Sequence, residues 1–453
     1  MNVTTDDMMS ARDSRDSRQK EFTAKYNSAL VSYTLNIAGP LKRFKSADRC
    51  FYEGKVEIEK IFARERYAVY DHILTDANTG LEGLWAVGAE APGLKSALSA
   101  IEESHPLGRL FDIDVLSSDG KKIPRNTVAL AERGCLVCGS PGHGCARNRS
   151  HPIEEILSVT HRVIDSYFLK KDAGLISGHA IRALLYELAT TPKPGLVDRR
   201  NNGAHTDMDF YTFIDSTVSL TSYFSDMAAA GILNRSVPPG DLLPILRQRG
   251  ITAEEEMFAA TGGVNTQKGI VFSLGIICAA CGYLGFPLSS SDDILDTAGK
   301  IAASALQNDF QGISALTAVT HGEKAFVKHA IGGIRAEAAA GFPSVRVFAL
   351  PALYAALARG SSPQDAGVET LLRLLANVED TNVIARSGLE SLGDIQRDLR
   401  DFLDTQPDTA AILRYAGDMD TSFIEKNISP GGCADLLAVT YMLWFISSSR
   451  EGG

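Results

Sequence analysis

Apolar and polar positions alternate in the first part of the chain and give way to helical periods further on. The segments Ala29-Leu30-Val31-Ser32-Tyr33-Thr34-Leu35-Asn36-Ile37 and Leu110-Phe111-Asp112-Ile113-Asp114-Val115-Leu116 read as strands bounded by polar turns. The region before Pro152 therefore predicts an α+β unit. Beyond it, Ile176 to Leu188 and the blocks 295–306, 324–340, 347–359, 366–378 and 433–446 are rich in Ala and Leu at helical spacing, which predicts an all-α unit. Turns such as Thr191-Pro192-Lys193-Pro194-Gly195 and Ser429-Pro430-Gly431-Gly432 separate these helices, because Pro and Gly end them. With no fixed repeat and no long linker, the change in pattern falls at 155–172 and gives two domains, 1–168 and 169–453.

The stretch Gly269 to Ser291 carries no charge and is long enough to span a bilayer. Its Gly, Ala and Cys content permits close helix packing, and no companion span with basic loops sets a topology. A buried central helix is the preferred reading, with a membrane span as the alternative.

Composition narrows the function. The chain has 453 residues, enough for two or three folding units at roughly 150 each. Its 45 basic and 55 acidic residues leave a net charge of -10, so no global positive field draws nucleic acid. Seven cysteines and an opening stretch without the apolar run of a signal peptide point to a reducing, cytoplasmic setting.

In the N-terminal half, Asp112 and Asp114 project from one strand face, where they suit Mg²⁺ shared with a phosphate chain; the plainer reading is a polar edge strand. Arg12, Arg15 and Arg18 recur on one side of a helix and suit phosphates, or simply a solvated face. Cys135, Cys138, Cys145 and His151 form a C-x₂-C-x₆-C-x₅-H array with zinc-ligand types. A metal-free loop, with Arg147 and Arg149 facing a ligand, is preferred over zinc.

These residues carry a resemblance. GRLFDIDV and RGCLVCGSPGHGCARNRSH, with Asn36-Ile37-Ala38-Gly39-Pro40 upstream, resemble the apo-citrate lyase phosphoribosyl-dephospho-CoA transferases, the CitX family, over 8–168. The resemblance implies transfer of a phosphoribosyl-dephospho-CoA group to a serine of the citrate lyase acyl carrier protein (gamma subunit), with loss of diphosphate. It implies Mg²⁺ on Asp112 and Asp114, charge stabilisation by Arg109, and Arg147 and His151 near the substrate.

In the C-terminal half, the stretch from Lys193 to Asp209 offers Asp198, Asp207 and Asp209 as hard oxygen ligands, with Glu187 and His205 as acid/base candidates; the plainer reading is a turn-rich surface loop. Asn265 and Lys268 open the uncharged helix, where amides and the helix dipole favour an anion. His321-Gly322-Glu323, Arg335 with Glu337, Asp380 with Asn382 and Arg386, and Asp435 combine charge with tight turns or apolar runs. Several acids entering a helical core suggest a shared Mg²⁺ site.

In order, TPKPGLVDRRNNGAHTDMD, TGGVNTQKG, GIRAEAAAGFPSV, DTNVIARSG and SPGGCADLLAVTYML resemble the triphosphoribosyl-dephospho-CoA synthases, the CitG family, over 173–449. That resemblance implies joining ATP to 3'-dephospho-CoA with release of adenine, and a triphosphate anchored by Mg²⁺ and Lys268. Both resemblances in one chain imply a fused, bifunctional enzyme. The readings from other classes are a zinc-knuckle nucleic-acid-binding protein and the membrane protein described above.

Overall fold

Alternating apolar and polar side chains suit a sheet with two different faces, and the N-terminal region builds one. The computed structural model describes residues 2–309, 327–328 and 331–451, and the chain divides into two compact units, Met1–Phe168 and Leu169–Gly453. His321, Glu323 and part of the predicted helical block 324–340 lie outside the described residues.

The first unit holds β1 (Ala29–Leu35), β2 (Ala68–Ala77), β3 (Gly80–Gly88) and β4 (Phe111–Leu116), antiparallel in the order β2-β3-β1-β4. Helix α1 (Thr5–Tyr26) starts in a capping box at Thr4. It lays Phe22 and Tyr26 on Leu30, Leu84, Ala86 and Leu116, on one face of the sheet. The other face packs Val31, Tyr33, Ile113 and Val115 against α2 (Lys45–Arg64) and α3 (Ala91–Ser104), where Phe51, Ile58, Leu94 and Leu98 are nearly inaccessible. A short α4 (Gly142–Asn148) precedes α5 (Ile153–Ala189). Helix α5 contributes Ile164 and Phe168 to this core and Ile176, Ala180 and Leu184 to the core of the second unit.

Every described element of the second unit is helical: α6 (Phe210–Ser219), α7 (Thr221–Leu233), α8 (Leu243–Ala260), α9 (Lys268–Leu284) and α10 (Ser291–Asp309) come first. The later helices include Gly333–Ala339, Leu350–Ala358, Pro363–Leu375, Thr381–Asp404, Thr409–Glu425 and Gly431–Glu451. Helix α9 is the uncharged stretch. It ends at Leu284, where Gly285 turns out at φ 84°, and its residues from Ile270 to Gly282 are buried except Phe272. It packs on α7 without side chains between them, since a Cβ on Gly231 would stand 2.1 Å from the Ala279 carbonyl oxygen. The buried-helix reading describes this segment. The Gly431–Glu451 helix, apolar and long enough to cross a bilayer, has Leu437, Tyr441, Met442 and Leu443 in the same core.

Candidate active sites

In the first unit, the register pairs Thr34 with Asp112 and Ser32 with Asp114, so both carboxylates stand on the face that α1 covers. Ile113 and Val115 between them are buried, which fixes the alternation and hence the shared direction of the acids. Packing around Asp112, and then the Asp114 carboxylate beside it, push the Asp112 carboxyl above its usual range. Lys122 meets Asp114 at 2.6 Å. Arg15 and Arg18 of α1 both bind Glu82 on β3, the latter at 2.5 Å, and Arg15 also attracts Asp112. The predicted arginine row is therefore partly an internal ion-pair network placed beside the acidic pair, not a solvated face.

Arg109 leaves Nε and Nη1 buried without a hydrogen-bond partner, a guanidinium ready for an anion. Arg147 is exposed on α4. His151 joins Cys135, Cys138 and Cys145, as the spacing of the array suggests: the four ligand atoms all lie within 4.8 Å of one another. Ser140, and then His151 nearby, draw the exposed Cys138 thiol down to about 6.

The second unit carries a cleft of about 1370 Å³, lined by residues from all five of the C-terminal motifs quoted above. Glu187, Lys193, His205, Asp207, Asn265, Lys268, Arg335, Asn382, Arg386, Asp380 and Asp435 all reach it. Lys193 is 2% exposed and donates to Glu187 Oε1 at 2.5 Å, a buried pair that keeps both charges satisfied. His205 Nε2 lies 2.9 Å from Ser429 Oγ, and burial lowers its pKa, so the ring is neutral near pH 7. Asp207 is largely exposed and stands 3.8 Å from His205 Nδ1.

Asn265 Oδ1 accepts from the Lys268 amide at 3.3 Å and steadies the start of α9, while Lys268 Nζ meets Glu254 at 2.8 Å. Arg386 donates to Ala204 O at 3.2 Å and Asn427 Oδ1 at 2.8 Å, tying two loops of the cleft wall together. Asp380 caps two helices: Oδ1 accepts from the Asn382 and Val383 amides at 2.8 and 3.2 Å, and Oδ2 from the Cys433 amide at 2.9 Å. Burial pushes its pKa up against the pull of those donors.

Asp435 is different. No hydrogen bond reaches its carboxylate among the described residues, and burial, followed by Asp380 and Glu187 nearby, pushes its pKa well above the usual range. It lies against α9 so closely that a Cβ on Gly269 would fall 1.8 Å from Oδ2. An acid so placed, with like charges around it and no donor, suits a hard cation.

Two predicted metal ligands have other work. Asp198 is buried and accepts from the amides of Lys193 at 2.9 Å, Arg200 at 2.6 Å and Asn201 at 3.3 Å, so it shapes the turn. Asp209 is the N-cap of α6, accepting from the Thr212 amide at 2.8 Å in a capping box. Neither lines the cleft. Accordingly, Asp209→Ala should lower stability by about 1 kcal/mol in denaturant unfolding, and Asp209→Asn should be close to neutral.

Two further acids shape the site. Glu337 lines the cleft and accepts from the Ser344 amide at 2.6 Å, with its pKa raised by burial. Asp420 holds the Gly195 amide at 3.0 Å and the Asn201 side chain at 2.8 Å, fixing the loop that carries Lys193. Gly195 has φ 69°, and a Cβ there would meet the Ile428 carbonyl at 2.1 Å, so that loop requires glycine.

Acidic pairs beside arginines in one unit, and buried carboxylates opposite a helix N-terminus in the other, are arrangements of transferases that act on phosphate chains. The chain matches the CitX family, apo-citrate lyase phosphoribosyl-dephospho-CoA transferase, over residues 3–167, and the CitG family, ATP:dephospho-CoA triphosphoribosyl transferase, over 174–452. Protein CitXG of Haemophilus influenzae is 32% identical over 457 residues, spanning 98% of this chain and 96% of that protein. Protein CitXG of Leuconostoc mesenteroides subsp. cremoris is 32% identical across 95% of each chain. A 2-(5''-triphosphoribosyl)-3'-dephosphocoenzyme-A synthase of Pectobacterium atrosepticum is 37% identical over 289 residues, 63% of this chain and 94% of its own. The chain belongs to the CitXG family, in which a CitX and a CitG region are fused.

Proposed function

We propose that the chain makes the citrate lyase prosthetic group in its second unit and attaches it with its first. In the first reaction a ribose hydroxyl of 3'-dephospho-CoA attacks the anomeric carbon of ATP. The bond to adenine breaks, adenine leaves with a proton, and 2'-(5''-triphosphoribosyl)-3'-dephospho-CoA forms. In the second, the serine hydroxyl of the citrate lyase acyl carrier protein (gamma subunit) attacks the innermost phosphate and diphosphate leaves. The second step is nucleotidyltransferase chemistry. We assign the enzyme to the cytoplasm.

The observation that carries this reading is the full-length likeness to fused CitXG proteins, in a chain whose two units each hold their own acidic centre. Mg²⁺ suits both centres: it would be held by Asp112 and Asp114 in the first, and by Asp435 with Asp207 in the second, where it would neutralise phosphate charge. Lys268 and the start of α9 orient the triphosphate. Glu187, Asp435 and the neutral His205 are the groups placed to take the proton of the attacking hydroxyl or to balance an oxocarbenium-like charge. Arg109 steadies the departing diphosphate.

Incubating the full chain with ATP, Mg²⁺, 3'-dephospho-CoA and apo carrier protein, then weighing the carrier by mass spectrometry, tests the reading. The carrier should gain one phosphoribosyl-dephospho-CoA, and adenine should appear even when the carrier is left out. An unmodified carrier together with no adenine would overturn it.

A further inference from the structure

We infer that Cys135, Cys138, Cys145 and His151 form a structural zinc site in the first unit. Four potential ligand atoms within 4.8 Å of one another, from residues spread over seventeen positions, are brought together without any disulfide. Three thiolates and an imidazole are the donor set of a closed tetrahedral zinc site, in which all positions are filled by protein and none is left for substrate.

The backbone around the cluster is shaped for a metal. Cys135 and Cys138 bracket a tight turn in which the Gly139 amide donates to Cys135 O at 3.0 Å and the Cys135 amide to Ser140 O at 2.6 Å. Gly139 takes φ 74°, which lets the chain double back immediately after the second thiol. Within this turn the Val137 amide points at Cys135 Sγ, 3.4 Å away, a donor aimed at a sulfur that would carry negative charge. Cys145 arrives on α4, its Sγ 3.5 Å from Cys138 Sγ.

His151 is prepared in the same way. Its Nδ1 stands 3.2 Å from Glu155 Oε2, one turn further along the chain, while Nε2 is buried without a hydrogen-bond partner. A carboxylate on one ring nitrogen fixes the ring and leaves the other nitrogen for a metal, the usual outer support of a metal-bound histidine.

Charge closes the argument. Zinc with three thiolates and a neutral imidazole carries a net charge of about -1. Cys135 attracts the guanidinium of Arg109, whose Nε and Nη1 are buried without a hydrogen-bond partner, and Arg133 also acts on Arg109. Arg133, two residues before the first ligand, donates to Phe111 O at 2.7 Å and Gly108 O at 2.5 Å, the backbone at the head of the strand that bears Asp112. The metal therefore pins the 133–151 segment and, through Arg133, steadies the start of β4. On binding, the three thiols release their protons to solvent, and no redox step is involved.

The test uses the untagged full chain, expressed with added zinc and purified under reductant. Elemental analysis should find about one zinc per chain and no iron. Cys138→Ser and Cys145→Ser should fall below about a tenth of that, while His151→Cys, which restores a fourth thiolate, should keep it. Asp112→Asn should keep it too. Replacement by Co²⁺ should give thiolate-to-cobalt charge-transfer absorption and the intense visible bands of a tetrahedral centre. Should the serine variants prove insoluble, titrating wild type with a mercurial thiol reagent should release zinc to a chromogenic chelator. A wild-type chain without zinc, zinc retained by both serine variants, or iron in its place would overturn the inference.

Discussion

Carrier modification by Asp112→Asn is expected to fall by about a hundredfold or more, while adenine release from ATP and 3'-dephospho-CoA continues at the wild-type rate. Asn keeps the size of the side chain and removes the charge from one of two carboxylates that share a strand face, so the change acts on the centre and not on the strand. Mass spectrometry of the carrier and chromatography of adenine read the two outcomes separately. Loss of both would mean that the activities do not divide between the units. The acid limb gives a second readout. Because packing and Asp114 raise the pKa of Asp112, the ionised form is lost at a higher pH than for an ordinary carboxylate, and activity should fall there with it. In Asp114→Asn the neighbouring charge is gone, and whatever activity remains should hold to lower pH.

The opposite split is expected from Asp435→Asn. Adenine release should drop by about a hundredfold or more, and attachment of preformed triphosphoribosyl-dephospho-CoA to the carrier should be untouched. The reason is the lack of any donor on Asp435 among the described residues, in a cleft where Asp380 and Glu187 add like charge. A carboxylate kept there without function would be costly. Raising Mg²⁺ should recover part of the rate if the lost charge held the cation. Gly269→Ala should imitate the defect, because the new methyl group would occupy the space of the Asp435 carboxylate. Normal rates for Asp435→Asn at limiting Mg²⁺ would remove this acid from the centre.

Much of this was legible in the residues. The alternation in Phe111-Asp112-Ile113-Asp114-Val115 determines which side each acid takes, because a strand has period two and Ile113 and Val115 must be buried. The uncharged run after Lys268 shows itself as a core helix by its small residues, which the α7–α9 contact uses. What stayed hidden depends on partners far away or on backbone amides. Asp198 and Asp209 have the composition of metal ligands, yet amides take both oxygens of Asp198 and one of Asp209, and sequence spacing does not tell a cap from a ligand. The pairing of Arg15 and Arg18 with Glu82 crosses more than sixty residues, beyond any periodicity. Glu337 gave one faint signal, a charge in an Ala-rich stretch after Gly332-Gly333.

The double cap at Asp380 restricts which sequences can keep this cleft. One carboxylate closes the first turns of the Thr381–Asp404 and Gly431–Glu451 helices, giving each a separate oxygen. Asparagine, often exchangeable with aspartate at a helix start, carries a single acceptor oxygen, so it would close one helix and turn its amide nitrogen, donor against donor, on the other. Glutamate would push an extra methylene towards Gly432, where even a Cβ would stand 3.0 Å from the present carboxylate oxygen. Neutral and longer replacements are thus barred for separate reasons, and divergence at the cleft floor is confined to positions that leave this junction alone.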